Sequence, residues 1–151
     1  MKAVIQRCIS ASVIADGKPA GSINKGLLVL VGVTEADTSA ESELLANKVS
    51  ALRIFTDDND KMNLSVADVG GSILAVSNFT LCADSRKGNR PSFSAAMEPN
   101  SANDLYKEFC KRIESNGILV QKGVFGADMQ VSMVGDGPVT IVLDTDIWSK
   151  K

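Results

Sequence analysis

The chain has 151 residues, a formal net charge of −2 and no histidine. Its length suits a single domain over residues 1–151, and its charge gives no overall attraction to polyanions. Because histidine is missing, Ser-His-Asp, Cys-His and His-metal mechanisms are excluded. The three cysteines form no Cys-x-x-Cys pair, which argues against a zinc knuckle and a disulfide framework.

No part of the sequence predicts a membrane partner. The longest apolar run, Leu27 to Val33, is too short to cross a bilayer. The first residues lack the apolar segment and cleavage site of a signal peptide. We therefore expect a cytoplasmic protein.

The N-terminal part predicts an antiparallel β unit. Apolar and β-branched residues fill positions 2–15, and Asp16-Gly17 is a typical two-residue hairpin turn before a second strand over 18–23. The run 27–33 does not alternate, which favours a central strand covered on both faces.

Residues 40–54 place apolar side chains at helical spacing after the polar N-cap candidates 37–39, and we expect an amphipathic helix there. The acidic stretch 56–61 lacks the glycine and terminal glutamate of an EF-hand loop, so we expect no metal site. A polar turn is the simpler interpretation.

Residues 72–81 predict a strand with a polar end. Side-chain alternation puts Asn78 and Thr80 on one face, next to Ser77 and the backbone N–H of Phe79. A carboxamide, a hydroxyl and N–H groups are the donors of an oxyanion hole, each worth about 3–4 kcal/mol of barrier. Thr80 is otherwise an ordinary β-branched strand residue, and no neighbouring base predicts it to be a nucleophile.

Arg86, Lys87 and Arg90 form a cationic cluster in a loop without helical or strand periodicity. They are either a phosphate clamp or a solvated charged loop, and the sequence favours neither. Cys82 lies just before this loop, and we interpret it as a structural thiol.

The last third predicts a helix followed by strands. Pro99 suits a first helical turn, and the helix ends before Asn116-Gly117. Strands are expected over 118–124, 129–134 and 139–144. The fold class is therefore α+β, with mostly antiparallel sheet in a barrel-like or sandwiched core and two main packed helices.

Two more stretches are candidate binding elements. Phe125 and Met129 could hold a purine between them, although core packing is the more common explanation for an aromatic and a thioether. Gly137-Pro138 predicts a tight turn at the start of the last strand. Spacing alone does not give the isomer of that peptide bond.

Taken together, these stretches resemble the D-aminoacyl-tRNA deacylases, also called D-tyrosyl-tRNA(Tyr) deacylases. The likeness extends over nearly the whole chain, and it is carried by four separated motifs in the same order: Ser77-Asn78-Phe79-Thr80-Leu81, Arg86-Lys87-Gly88-Asn89-Arg90-Pro91-Ser92-Phe93, Phe125-Gly126-Ala127-Asp128-Met129 and Asp136-Gly137-Pro138-Val139-Thr140.

The resemblance implies a cofactor-free homodimer that hydrolyses the ester between a D-amino acid and the 3′ end of tRNA, and that also clears mischarged glycine. It implies that residues 77–80 line the aminoacyl pocket, and that Phe125 and Met129 lie near the terminal adenosine. It further implies that Gly137-Pro138 is cis and enters the partner subunit's site, where its carbonyls reject L-amino acids.

Two positions depart from the family pattern, which usually has Gln at the position of Asn78 and Asn at that of Gly135. Two rival functions stay open at this point. One is a non-catalytic nucleic-acid-binding module of the same fold. The other is a hydrolase with a Thr80 or Cys82 nucleophile.

Overall fold

The computed structural model describes residues 1–148 and confirms the α+β class. The end of the predicted domain, residues 149–151, lies outside the described residues. The described elements are β1 Lys2–Ala15, β2 Lys18–Ile23, β3 Gly26–Gly32, α1 Ser39–Ala51, β4 Phe55–Thr56, β5 Met62–Leu64, β6 Ser72–Ser77, α2 Pro99–Ser115, β7 Val120–Lys122, β8 Met129–Asp144 and α3 Thr145–Trp148. Within residues 1–148, no helix is long and apolar enough to span a membrane.

The main sheet is built around β1, which pairs antiparallel with β2, β3 and β8. Strand β6 joins β3 and β7 in parallel, which gives the order β2-β1-β3-β6-β7 with β8 along the other edge of β1. The sheet curls until β2 approaches β7: a Cβ on Gly21 would lie 2.7 Å from the Lys122 carbonyl oxygen. This close approach needs a glycine and makes the sheet a nearly closed barrel.

Strand β3 is covered on both faces, as its unbroken apolar sequence predicts. Leu27, Val29 and Val31 pack into the large core between the sheet and the two long helices. Leu28 faces the barrel interior, where it joins the smaller apolar cluster that contains Leu74. Burying each such side chain stabilises the fold by about 1.5–3 kcal/mol.

The two long helices begin at well-formed caps. Thr38 and Glu41 form a capping box at the start of α1, and the Glu98 carboxylate accepts hydrogen bonds from the first free N–H groups of α2. The Ser42 hydroxyl donates to the Leu105 carbonyl oxygen at 2.9 Å and joins the helices. Helix α1 stops at Ala51, three residues before the predicted end at Ile54.

The predicted strand 72–81 is wrong at its C-terminal end. Strand β6 stops at Ser77, and Phe79–Cys82 form a 3₁₀ turn. The cause is its neighbour in the sheet: β3 ends at Gly32, and the parallel pairing ends with Val31 opposite Ser77. Without a partner strand, the next residues coil back over the end of the sheet.

The predicted strands 129–134 and 139–144 belong to one strand, β8, which pairs with β1 from Ala15 to Lys2. The predicted strand over 118–124 is shorter, since β7 covers only Val120–Lys122. Both differences result from pairing between strands that are distant in the sequence, which local sequence patterns do not predict.

Candidate active site

A cavity of about 800 Å³ opens at the end of β3 and β6, next to the N-terminus of α2. It includes the predicted polar stretch 77–80 and the predicted binding residues Phe125 and Met129. The remaining lining is mostly apolar: Leu28, Leu30, Val31, Val33, Val76, Ala96, Met97, Pro99, Ala102, Tyr106, Gly126, Ala127, Asp128 and Val131.

The segment Asn78–Cys82, here called the cavity turn, is fixed on the end of β3. The Asn78 N–H donates to the Val31 carbonyl oxygen at 2.7 Å. A Cβ on Gly32 would lie 2.9 Å from Leu81 Cβ and 3.1 Å from the Asn78 carbonyl oxygen. Glycine at position 32 therefore lets the cavity turn pack directly against the sheet.

Two backbone donors of the cavity turn have no acceptor within residues 1–148. Among the hydrogen bonds of residues 1–148, none uses the N–H of Phe79 or Thr80, whereas the neighbouring Asn78 and Leu81 N–H groups are both bonded. The Phe79 side chain is 60 % exposed and packs edge-on against Phe93, with ring centroids 5.1 Å apart. The cavity turn thus offers adjacent unpaired N–H groups at the cavity.

Asn78 and Thr80 meet as the sequence predicts, although through the turn instead of strand alternation. The Thr80 hydroxyl donates to Asn78 Oδ1. This bond occupies the amide oxygen and leaves the Asn78 NH₂ group as its free donor. Hydroxyl, amide and backbone N–H groups are therefore concentrated at one wall of an apolar cavity.

The cavity offers little acid–base chemistry. Among its lining residues, Asp128 and Tyr106 are the ionisable ones. The Tyr106 hydroxyl donates to the Ala75 carbonyl oxygen at 2.8 Å, and burial raises the pKa of this phenol far above its ordinary value. Tyr106 therefore acts as a wall of the cavity and keeps its proton.

Cys82 is the last residue of the cavity turn, and its side chain is buried. Its thiol donates to the Val33 carbonyl oxygen at 3.4 Å, and burial raises its pKa. A raised pKa lowers the thiolate fraction at neutral pH, which fits the structural role expected for this residue.

The residues 125–128, here called the wall loop, form another side of the cavity. The Phe125 ring lies 6.1 Å from the Tyr106 ring, centroid to centroid. Met129 follows the wall loop as the first residue of β8 and also packs on the barrel interior. The sequence analysis did not single out Tyr106, because it is one of the buried residues along α2 and nothing near it in the sequence indicates a site.

The predicted turn around Gly137-Pro138 lies elsewhere. In the pairing of β8 with β1, Gly135 is opposite Cys8 and Thr140 is opposite Gln6. Residues 136–139, here called the proline bulge, therefore stand opposite Arg7 alone. Both Gly137 and Pro138 are exposed, their peptide bond is cis as the resemblance implies, and neither lines the cavity of its own chain.

Arg7 anchors the proline bulge. Its Nε donates to the Asp136 carbonyl oxygen at 3.2 Å and lies 3.3 Å from the Asp136 carboxylate. Its Nη1 donates to the carbonyl oxygen of Ile54 at 2.8 Å, which connects the bulge to the segment between α1 and β4. The Gly137-Pro138 tip of the bulge is therefore exposed, while Asp136 and the buried Val139 on either side of it are held in place.

Apolar residues are exposed around the bulge. Ile9, Val134 and Val142 are 58 %, 54 % and 72 % exposed on β1 and β8. These three side chains would lose contact with water if a second chain covered this face of the sheet.

The cationic cluster forms one loop outside the cavity. Arg86 is paired with Asp84 through two hydrogen bonds of 2.9 and 2.7 Å, and these hold the pKa of Asp84 at about 2. Lys87 and Arg90 are exposed and have no ion-pair partner among residues 1–148. The structure brings the three cations together on a loop without placing them at the cavity.

The chain is similar to known proteins over nearly its whole length. The model of the family "D-Tyr-tRNA(Tyr) deacylase" matches residues 4–144. The D-aminoacyl-tRNA deacylase of Koribacter versatilis (strain Ellin345) is 54 % identical over 145 residues, which cover 96 % of this chain and 97 % of the relative. The D-aminoacyl-tRNA deacylase of Clostridioides difficile (strain 630) is 52 % identical over 145 residues, again 96 % and 97 % of the two chains.

Two solved structures share the fold. The "c-Myc DNA Unwinding Element Binding Protein" has a TM-score of 0.89 and 41 % identity, covering 95 % of this chain and 98 % of the other. A "probable eukaryotic D-amino acid tRNA deacylase" has a TM-score of 0.80 over 94 % of this chain and 97 % of the other. At 16 % identity, the second likeness concerns the fold alone.

Proposed function

The chain belongs to the D-Tyr-tRNA(Tyr) deacylase family, and from that membership we propose that it hydrolyses the ester bond of D-aminoacyl-tRNA, releasing the D-amino acid and tRNA. The observation that carries this proposal at the site is the pair of N–H groups at Phe79 and Thr80 that have no acceptor among residues 1–148, on a cavity whose described lining contains no histidine, lysine or cysteine.

Hydrolysis of an aminoacyl ester does not require an ionisable side chain at the site. An aminoacyl ester is already activated, so water can add to its carbonyl carbon if the ester is held in place and the developing oxyanion is stabilised. The N–H groups of Phe79 and Thr80 face that oxyanion, while Asn78 and the Thr80 hydroxyl orient the substrate. The C–O bond to the 3′-oxygen then breaks, the neighbouring 2′-hydroxyl stabilises the departing alkoxide, and the 3′-oxygen takes up the proton that the attacking water releases.

Stereochemical selection is assigned to the proline bulge of a second subunit. The Gly137-Pro138 tip of the bulge is exposed and does not line the cavity of its own chain, Arg7 anchors the bulge at Asp136, and exposed apolar groups lie beside it. In a homodimer, the carbonyls of Gly137 and Pro138 enter the partner's cavity and clash with an L side chain. Glycine has no side chain to exclude, so mischarged glycyl-tRNA is also cleaved.

The rest of the substrate is assigned to the remaining predicted residues. Ser77 lines the aminoacyl pocket, and Phe125 and Met129 enclose the terminal adenosine, which the cavity lining supports. Arg86, Lys87 and Arg90 contact tRNA phosphates from the neighbouring loop. Arg86 contributes least of the three, because Asp84 already compensates its charge. Charged tRNA as substrate also makes the cytoplasm the expected location.

The decisive experiment is timed hydrolysis of matched D- and L-tyrosyl-tRNA by the purified protein. We expect release of D-tyrosine and little release of L-tyrosine. Equal rates for both enantiomers would contradict the proposal. A D-tyrosyl ester on tRNA ending in 2′-deoxyadenosine should react slowly, and a normal rate would contradict the role given to the 2′-hydroxyl.

The alternative function is a nucleic-acid-binding module without catalysis. It is favoured by one observation, the 41 % identity with a structure titled as a DNA unwinding element binding protein. It predicts salt-sensitive nucleic-acid binding and no cleavage of either ester. A nucleophile mechanism would instead leave a transient acyl mass shift on Thr80 or Cys82.

A further inference from the structure

The hairpin turn between β1 and β2 contacts the wall loop of the cavity. The Asp16 N–H donates to the Asp128 carbonyl oxygen at 2.9 Å, and the Asp128 N–H donates to Asp16 Oδ1 at 3.3 Å. Both backbone polar groups of Asp128 are thus bonded to one residue, 112 positions away in the chain.

These two hydrogen bonds connect the wall loop to the hairpin turn between β1 and β2. Among the hydrogen bonds of residues 1–148, the other one made within 125–128 is local, from the Ala127 N–H to the Val124 carbonyl oxygen at 3.2 Å. The pairing of β8 with β1 begins only after the loop, with Met129 opposite Ala15. The bonds to Asp16 therefore fix Asp128, which lies in the cavity wall one residue before the strand pairing begins.

The conformation of Asp16 suits this contact. Its φ is +48°, and Gly17 follows with a φ of +80°. Aspartate and asparagine tolerate this left-handed region better than most residues, and both carry an Oδ1 acceptor. Position 16 thus has two separable requirements, namely a residue that accepts a positive φ and a side-chain oxygen that reaches the Asp128 N–H.

We propose that Asp16 is a positioning residue for substrate binding, which acts by fixing the wall loop with Phe125 against the terminal adenosine. The proposal rests on the function proposed above. Asp16 does not line the cavity, and the cavity turn that carries the proposed oxyanion donors is attached separately, to β3. Loss of the Asp16 contact should therefore weaken binding and leave the chemical step unchanged.

Two substitutions separate the requirements. Asp16→Gly keeps a residue suited to positive φ and removes the acceptor, whereas Asp16→Asn keeps both and removes only the charge. With D-tyrosyl-tRNA we expect Asp16→Gly to raise KM about three- to tenfold, the loss that one hydrogen bond carries, with kcat within about twofold of the wild type. Asp16→Asn should retain the wild-type KM within about twofold.

A purely structural role would give a different pattern. If Asp16 only stabilised the hairpin, Asp16→Gly would lower Tm and leave KM unchanged, and that result would overturn the proposal. An equal rise of KM in Asp16→Asn would also overturn it, because the charge and not the acceptor would then matter. A fall in kcat at constant KM would do the same.

Hydrogen exchange gives a readout that does not depend on activity. The Asp128 amide should be protected in the wild type and in Asp16→Asn, and should exchange faster in Asp16→Gly. An unprotected Asp128 amide in the wild type would contradict the positioning role even if catalysis is confirmed. If instead the wild type fails to cleave D-tyrosyl-tRNA, the proposed function is wrong, while the exchange data still decide whether Asp16 fixes the wall loop.

Discussion

The cavity turn follows the end of β6 and the proline bulge interrupts β8, so both are short breaks in strand pairing, but the fold uses them in opposite ways. The cavity turn is packed against β3 and lines the cavity of its own chain. The proline bulge projects from β8, is held by Arg7 and lies away from that cavity. Under the proposed function, one chain contains the groups for ester cleavage, whereas the element assigned to selection would act on a second chain.

The largest effect is expected from removing an oxyanion donor. Phe79→Pro deletes the N–H at the first position of the 3₁₀ turn, where proline is tolerated, and Asn78 before it is already extended, with φ −149° and ψ 91°. We expect kcat for D-tyrosyl-tRNA to fall about 10²–10³-fold.

Phe79→Ala is the matched control, because it removes the same ring from its contact with Phe93 and keeps the N–H. The ratio of the two kcat values measures the contribution of the N–H itself. Equal rates in the two variants would show that the cavity turn does not stabilise the oxyanion.

The second prediction asks whether the bulge acts across subunits. Pro138→Gly should raise hydrolysis of L-tyrosyl-tRNA about tenfold, the effect of relieving about 1.4 kcal/mol of steric exclusion. Co-assembly with an excess of Phe79→Pro chains places each Pro138→Gly chain beside a partner whose bulge is intact. The L-specific rate per Pro138→Gly chain should then return towards the wild-type value.

The control partner is the double variant Phe79→Pro/Pro138→Gly, which has neither the donor nor the intact bulge. With this partner in excess, the L-specific rate should stay high. If the two partners give the same rate, the bulge selects within its own chain or does not select at all.

The third prediction compares how the two regions are supported. Gly32→Ala forces a Cβ to within 2.9 Å of Leu81 Cβ, whereas a Cβ on Gly135 meets only Met133 Cε at 3.5 Å. We expect Gly32→Ala to reduce the free energy of unfolding by about 1–3 kcal/mol and to lower kcat as well, because the cavity turn must shift.

Gly135→Ala should leave the free energy of unfolding within about 0.5 kcal/mol of the wild type. Urea unfolding of both variants is the measurement. A larger loss in Gly135→Ala than in Gly32→Ala would mean that the bulge, and not the cavity turn, depends on close packing.

The smallest effect concerns the buried thiol next to each region. Cys8 pairs opposite Gly135 beside the bulge, Cys82 is the last residue of the cavity turn, and burial raises the pKa of both thiols above the usual 9.0. In the unfolded chain these thiols ionise first, so stability is unchanged below about pH 9 and falls as pH rises through the higher folded pKa values.

Urea unfolding at pH 8 and pH 10 should show this loss in the wild type and a smaller loss in Cys82→Ala or Cys8→Ala. Comparing each variant with itself at the two pH values removes the constant cost of the lost side chain. An unchanged pH dependence in both variants would contradict the raised pKa values.

Local sequence patterns predicted those parts of the fold that short segments specify. The Asp16-Gly17 turn, the doubly covered strand β3 and the proline-initiated helix α2 each depend on neighbouring residues, and each was predicted correctly. Where β6 ends was predicted wrongly, because its last pairing depends on the end of β3, some 45 residues earlier.

The site shows the same division. Local chemistry identified Asn78 and Thr80 as a polar pair, and the structure joins them by a hydrogen bond. That Phe125 lines the same cavity follows only from the folded sheet, and the support of its loop by Asp16 joins residues too far apart for any spacing rule. The proline bulge was interpreted as a turn between two strands, because both of its flanks carry ordinary strand residues.

The proline bulge determines where the length of β8 can change without altering its pairing with β1. On both sides of residues 136–139, β8 keeps its pairing with β1, so the alternation of inner and outer side chains is fixed before and after the bulge. A deletion or insertion of one residue elsewhere in β8 would turn buried positions outward over the rest of the strand. Inside the bulge the ladder is already interrupted, so the same change leaves the pairing on both sides intact and instead moves the exposed Gly137-Pro138 tip or the buried Val139.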